Sequence, residues 1–212
     1  MTAPELVREP LPQRLARRIK RMTGPWGVFV EGFIRHPVMV GSVVPSSRYT
    51  IAKMLGRVDW TNCQVFVEYG PGVGTFCRPI LQRLRRDGLY IVIDTNPMFI
   101  DYLKATISDS RFVAVNGSAA DVEAIVRAHG HANADYVLSG LPFSTLPPGV
   151  APAIAAGTWR VLRQGGAFLV YQFTPRAKHF MARHFTHIDK GMEYRNVPPC
   201  FLYWGWKDEV SE

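Results

Sequence analysis

VFVEYGPGVGTF, residues 65–76, decides the reading of this chain. An apolar, β-branched run ends at Glu68, glycines stand at 70, 72 and 74, and a helical pattern from Phe76 to Arg86 follows at once. Strand, glycine turn and helix in that order bring bare backbone up to an anionic or ribose-bearing ligand at a helix N-terminus. The spacing narrows the ligand. A dinucleotide turn needs G-x-G-x-x-G, which would place glycine at 75, where Thr75 stands. What is present is E-x-G-x-G-x-G.

Glycines also serve tight turns that hold nothing, so the turn needs company. Leu89–Ile93 reads as a second buried strand ending in Asp94, the place from which a carboxylate grips a ribose diol. Phe112–Val115 runs into Asn116-Gly117-Ser118-Ala119, where an adenine edge is expected. Tyr136–Leu138 runs into Ser139-Gly140-Leu141-Pro142-Phe143. Helical patterns at Pro97–Ile107, Ala120–His129 and Pro152–Leu162 alternate with these strands, and a further strand is expected over Ala167–Phe173. Such alternation means βαβ units around a parallel sheet. After a helical stretch, Pro175–Arg183, the segments Phe185–Tyr194 and Cys200–Trp206 read as an antiparallel pair closing the sheet edge. Four strand tips in this order predict an α/β, Rossmann-like fold with S-adenosylmethionine (SAM) across them.

The 212 residues suffice for one such domain and a short extension. No uninterrupted apolar run reaches the length of a membrane span, and the N-terminus lacks a signal-peptide core. Cys63, Cys77 and Cys200 are scattered without metal-ligand spacing, which fits a reducing cytosol and no metal. The net charge of +8 points to a polyanionic partner, nucleic acid or an anionic membrane.

Residues 1–48 are expected to form a basic amphipathic extension, serving membrane attachment and as an active-site lid, ahead of a catalytic domain at 49–212. Within it, Gln13–Met22 reads as a helix with Leu11, Leu15, Ile19 and Met22 on one stripe. Arg14, Arg17, Arg18 and Arg21 fill the opposite face. A helix this short is marginal alone in water, so its apolar side must be covered, by the protein's own core or by a membrane interface. At an anionic surface each cation contributes roughly 1 kcal/mol, and together with apolar burial that gives reversible attachment. Trp26–Arg35 is a second amphipathic segment, stopped by Pro37. Ser46 or Ser47 is placed to cap a helix over Tyr49–Leu55.

Arg35-His36-Pro37 followed by Val40-Gly41-Ser42-Val43-Val44-Pro45-Ser46-Ser47-Arg48, taken with the glycine turn and Ser139–Phe143, resembles the bacterial phospholipid N-methyltransferases. Those enzymes convert phosphatidylethanolamine stepwise to phosphatidylcholine. The resemblance runs from about residue 11 to 206, and the stretch before Arg48 is its most telling part. It implies a class I SAM methyltransferase fold with a seven-stranded, mostly parallel sheet, a peripheral place on the inner face of the cell membrane, and a monomer. It also implies SAM as donor and S-adenosylhomocysteine (SAH) as product. SAM contacts are expected from Ser42, Ser46, Glu68, Tyr69, Gly70, Pro71, Gly72, Gly74, Thr75, Asp94, Thr95, Asn96, Gly117, Ser118, Ala119 and Ser139. Tyr69 and Asp94 stand where the family often has Leu and Glu.

Methyl transfer needs an uncharged amine. Tyr49, Ser139, Gly140, Leu141 and Phe143 are the candidate catalytic residues: backbone carbonyls near Gly140 and Leu141 to orient the amine, and aromatic rings to surround the growing ammonium. Tyr171, on a strand, is read first as core. Arg48, Arg176 and Lys178 are candidates for the lipid phosphate, and His36 and His179 for a proton relay, although isolated histidines are commonly structural. An RNA adenine N6-methyltransferase is the alternative, disfavoured because the adenine-holding Asn is missing from the fourth strand tip and no helical RNA-binding domain follows the sheet. A lipid-binding scaffold that merely retains SAM is the non-enzymatic alternative.

Overall fold

The computed structural model describes residues 46–143, 146–175 and 177–208. The expected helix at 13–22, the segment at 26–35, and Ser42, His36 and Arg176 lie outside these residues.

A seven-stranded sheet in the order β3-β2-β1-β4-β5-β7-β6 forms the middle layer. β1 (Val65–Tyr69), β2 (Leu89–Asp94), β3 (Phe112–Asn116), β4 (Ala134–Ser139) and β5 (Leu162–Gln172) are parallel, while β7 (Cys200–Trp206) is antiparallel to both β5 and β6 (His187–Glu193). The sequence reading of a mostly parallel sheet with an antiparallel C-terminal pair is borne out. Every residue of β1 and β4 is buried, as continuous apolar runs in a parallel sheet covered on both faces require.

Alternate residues feed two cores. Val67, Tyr69, Ile93, Val137, Phe168 and Val170 face one way, and Phe66, Tyr90, Val92, Leu138 and Leu169 face the other. The helices, in chain order, are α1 (Arg48–Leu55), α2 (Cys77–Leu81), α3 (Pro97–Thr106), α4 (Val122–Ala128), α5 (Val150–Val161) and α6 (Ala177–Met181). Buried side chains of α1, α2 and α3 join the second core, those of α4, α5 and α6 the first. At the base of the sheet, Asp135 accepts from the N–H groups of Gln64 (2.8 Å) and Val65 (2.7 Å) and pairs with Arg163, fastening the start of β1 to β4.

Two boundaries differ from expectation for local reasons. The helix expected to reach Arg86 ends at Leu81, because the Arg111 guanidinium donates to the carbonyls of Leu81, Leu84 and Arg85 at 2.9, 2.7 and 3.1 Å and satisfies the helix end from outside. β5 begins at Leu162 rather than Ala167, with Gly165 at φ 70° and a register shift against β4 between Ala134 and Tyr136. This is the signature of a bulge.

Candidate active site

The sheet reverses its strand order between β1 and β4, where an open α/β sheet forms its ligand crevice at the carboxyl ends of the strands. The glycine turn lies there. Gly70, Gly72 and Gly74 have φ of 63°, 55° and 78°, a region only glycine enters freely. A Cβ on Gly72 would meet nothing within 4 Å, whereas one on Gly70 would stand 2.9 Å from the Leu141 side chain. The space above Gly72 is open, and the backbone on either side is held close.

Asp94 reaches this turn from the next strand. Its carboxylate accepts from the N–H groups of Asn96, Gly72 and Thr95, while burial pushes its pKa above the usual carboxylate value against the pull of those donors. The backbone beyond it is fixed as well, since the Asp94 carbonyl accepts from Gly117 N–H and Asn116 Nδ2, both at 3.0 Å. A carboxylate beside a bare glycine turn, with room above the middle glycine, fits a ribose and amino-acid moiety such as SAM carries.

Several expected contact residues have their side chains committed elsewhere. Asn96 caps α3 by accepting from Met98 N–H at 3.0 Å, and Ser118 caps the short helix at 119–121 by accepting from Ala120 N–H at 3.2 Å. The Tyr69 ring is buried with its hydroxyl on Thr158 Oγ1 at 3.1 Å, so only its backbone, bonded to Gly140 N–H, lies at the crevice. Pro71 and Ala119 are buried. Gly117 and Thr95 directly follow β3 and β2, and Thr75 stands in the glycine turn.

Glu68 is enclosed beneath the turn. One oxygen accepts from the Tyr90 hydroxyl, and Oε1 has no partner among the described residues. Burial raises its pKa to about 7. Its side chain is therefore buried under the glycine turn and not open to the crevice.

On the acceptor side, the Ser139 hydroxyl accepts from Leu141 N–H at 3.3 Å. The Leu141 carbonyl accepts from Gln172 Nε2 at 2.8 Å and Phe143 N–H at 2.9 Å. Phe143 packs into the core with its ring centroid 4.2 Å from that of Phe180. Tyr49 has its hydroxyl on Arg48 at 2.8 Å and the Arg195 guanidinium 3.9 Å from its ring centroid. Lys178 and His179 line a separate cavity with Pro175, Lys190, Met192 and Phe201.

Tyr171, read first as core, comes to the site. Its ring packs on Phe76 at 5.1 Å between centroids, its hydroxyl bonds Ser46, and a Cβ on Gly140 would stand 2.3 Å from that hydroxyl. Only glycine fits at 140 below this ring. Gln172 was missed altogether: it is buried, it holds the Leu141 carbonyl, and its Oε1 has no partner among the described residues. A glutamine ending the apolar run AFLVYQ, as Asp94 ends LYIVID, was the available signal.

No protein-family profile matches the chain. It is 29% identical over 178 residues to the ornithine lipid N-methyltransferase of Singulisphaera acidiphila, covering 83% of this chain and 93% of that protein. Its fold is similar to precorrin-6y C5,15-methyltransferase from Geobacter metallireducens, with TM-score 0.60 and 16% identity over 78% of this chain and 92% of that one. It is also similar to the N-methyltransferase NodS from Bradyrhizobium japonicum, with TM-score 0.58 and 12% identity over 76% and 96% of the two chains. The fold is the Rossmann-like one of the class I methyltransferases, and the relatives support an enzyme that takes a methyl group from SAM and leaves SAH.

Proposed function

We propose that this enzyme N-methylates the amino headgroup of a membrane lipid, with phosphatidylethanolamine as substrate and successive methylation toward phosphatidylcholine. The observation that carries the reading is the match, along most of the chain, to a relative named an ornithine lipid N-methyltransferase. The site supports it. The β4 tip offers Ser139 and Gly140 instead of an amide or acid that would hold an adenine amino group, so the pocket suits a nitrogen whose protons are replaced in turn.

A lipid amine resembles a lysine side chain, with pKa ~10.4, so presenting it neutral at pH 7 costs roughly 4–5 kcal/mol unless burial lowers that pKa. Leu141, packed beside Gly70, gives the crevice an apolar wall that favours the neutral amine. Bound there, SAM supplies an electrophilic methyl group. The Leu141 carbonyl is already engaged twice, so orienting the amine falls to the Gly140 carbonyl and the Tyr171 hydroxyl, whose pKa burial pushes up and which therefore stays protonated. Tyr171, rather than Tyr49 or Phe143, is the ring best placed to face the product ammonium. Glu68, Gly70, Gly72 and Asp94 hold the donor.

Residues 1–48, with Arg14, Arg17, Arg18 and Arg21, are assigned the attachment to the anionic inner face of the membrane, and Arg48, Arg176 and Lys178 the contacts to lipid phosphate. No helix among the described residues is long and apolar enough to cross a membrane. The enzyme is proposed to act as a cytoplasmic, peripherally attached monomer.

The relative's name favours a second acceptor, the amine of an ornithine lipid. Incubation with methyl-labelled SAM and vesicles containing phosphatidylethanolamine, vesicles containing ornithine lipid, or unmodified ribosomal RNA separates these readings. Label in phosphatidylethanolamine is expected. Label in ornithine lipid alone would change the substrate, and label in RNA alone would overturn the lipid reading.

A further inference from the structure

The β6–β7 connection, residues 194–199, reads Tyr-Arg-Asn-Val-Pro-Pro. Tyr194 is 73% exposed and Val197 83%, the two most exposed large apolar side chains among the described residues. They lie three residues apart on one loop. Folding gains nothing from placing them in water, and scattered single exposures elsewhere need no such explanation.

The loop itself is firmly held. Asn196 is 2% exposed, and its Oδ1 accepts from Ser47 N–H at 2.8 Å and the Thr50 hydroxyl at 3.0 Å, while its Nδ2 donates to the Pro198 carbonyl at 2.8 Å. Tyr194 and Val197 are thus presented by a loop pinned to the start of α1.

Position gives the loop a meaning. β7 runs antiparallel to β5, with Phe201 opposite Gln172, and Glu193 lies opposite Cys200. The connection therefore stands at the carboxyl end of β5, the end that carries the donor turn and Tyr171. Its charge agrees. Lys53 and Arg195 share Glu193, with Arg195 Nε at 3.0 Å and Lys53 Nζ at 4.0 Å, and Arg48 and Arg195 both stand on the Tyr49 ring. Three cations gather where one carboxylate is paired. Toward α6, Lys178 and Lys190 line one cavity together, without an acidic partner among the described residues.

Resting on the lipid-acceptor reading, we propose that the β6–β7 loop is a second membrane contact, seating Tyr194 and Val197 in an anionic bilayer surface beside the crevice mouth. An interfacial Tyr with flanking cations is the chemistry such a surface selects. An acceptor lipid then enters at the strand tips with its chains still in the bilayer.

The test uses the full chain carrying Tyr194→Ser and Val197→Ser, both exposed positions whose change leaves the core intact, with thermal unfolding to verify that. Co-sedimentation with phosphatidylglycerol vesicles should weaken at least tenfold. Methylation of vesicle-embedded phosphatidylethanolamine should fall with it, and methylation of a dispersed short-chain phosphatidylethanolamine should be unchanged. Unaltered vesicle binding would overturn the proposal, and so would an equal loss on embedded and short-chain lipid, which would put the loop on the acceptor. A change in sedimentation coefficient with vesicle binding intact would overturn it in favour of a contact between copies of the chain. If the unsubstituted enzyme methylates neither lipid, the acceptor reading fails, and the binding comparison still decides the loop.

Discussion

Two acids, Glu68 and Asp94, flank the glycine turn proposed to hold the donor, one sealed below it and one at its edge. Asp94→Ala removes a charge-assisted contact worth about 1.5–3 kcal/mol, so SAM affinity measured by calorimetry should fall at least tenfold. An unchanged constant would place the ribose elsewhere. Glu68 makes a pH prediction. Its folded pKa of about 7 lies above the 4.5 of an unperturbed glutamate, so the folded state holds a proton between those values that the unfolded chain has released. Its contribution is fully present below about pH 4.5 and is lost as pH rises through 7, a swing of about 3 kcal/mol. Glu68→Gln stays neutral throughout, so in urea titrations the variant should gain on the unsubstituted protein from pH 5 to pH 8; parallel curves would contradict a protonated Glu68. Both acids were legible in sequence because each ends an apolar run. That Glu68 points inward was not, since the partner that receives it, Tyr90, lies on a neighbouring strand.

Among the described residues, helix and strand types were read correctly from periodicity, and the ends that differ were set by a distant side chain or by a bulge. α2 stops where Arg111, from the start of β3, supplies donors to its last carbonyls. β5 starts early because two glycines let it bulge against β4. Tyr171 shows the same limit: its place over Gly140 depends on the parallel register of β4 with β5, which pairs Leu138 with Leu169 and which no spacing within one strand reveals. α1 is tied to the far end of the chain. Ser47 accepts from Thr50 N–H as the expected cap, and Asn196 accepts from Ser47 N–H and from the Thr50 hydroxyl. Asn196→Ala leaves those buried donors unpaired and should cost about 1–3 kcal/mol, read as a lowered urea midpoint. A loss within experimental error would show that α1 is held by its apolar contacts alone.

Across the molecule, the sheet brings donor and acceptor elements to one end, and the sequence foretold this from four strand tips in order. What tips alone could not tell is the lipid, because amine chemistry is shared among headgroups. Removing residues 1–22 should greatly reduce association with anionic liposomes while SAM binding remains measurable; liposome binding at full strength would remove the membrane role given to that segment. The strand order carries one more implication. β7, made last, slots between β5 and β6, so β6 has no neighbour until Trp206 has been synthesised. Until then the nascent sheet carries the bare flank of β5, a long and mostly buried apolar strand that any other extended polypeptide could zip onto. Premature termination within the final hairpin should therefore yield insoluble material rather than a shortened enzyme.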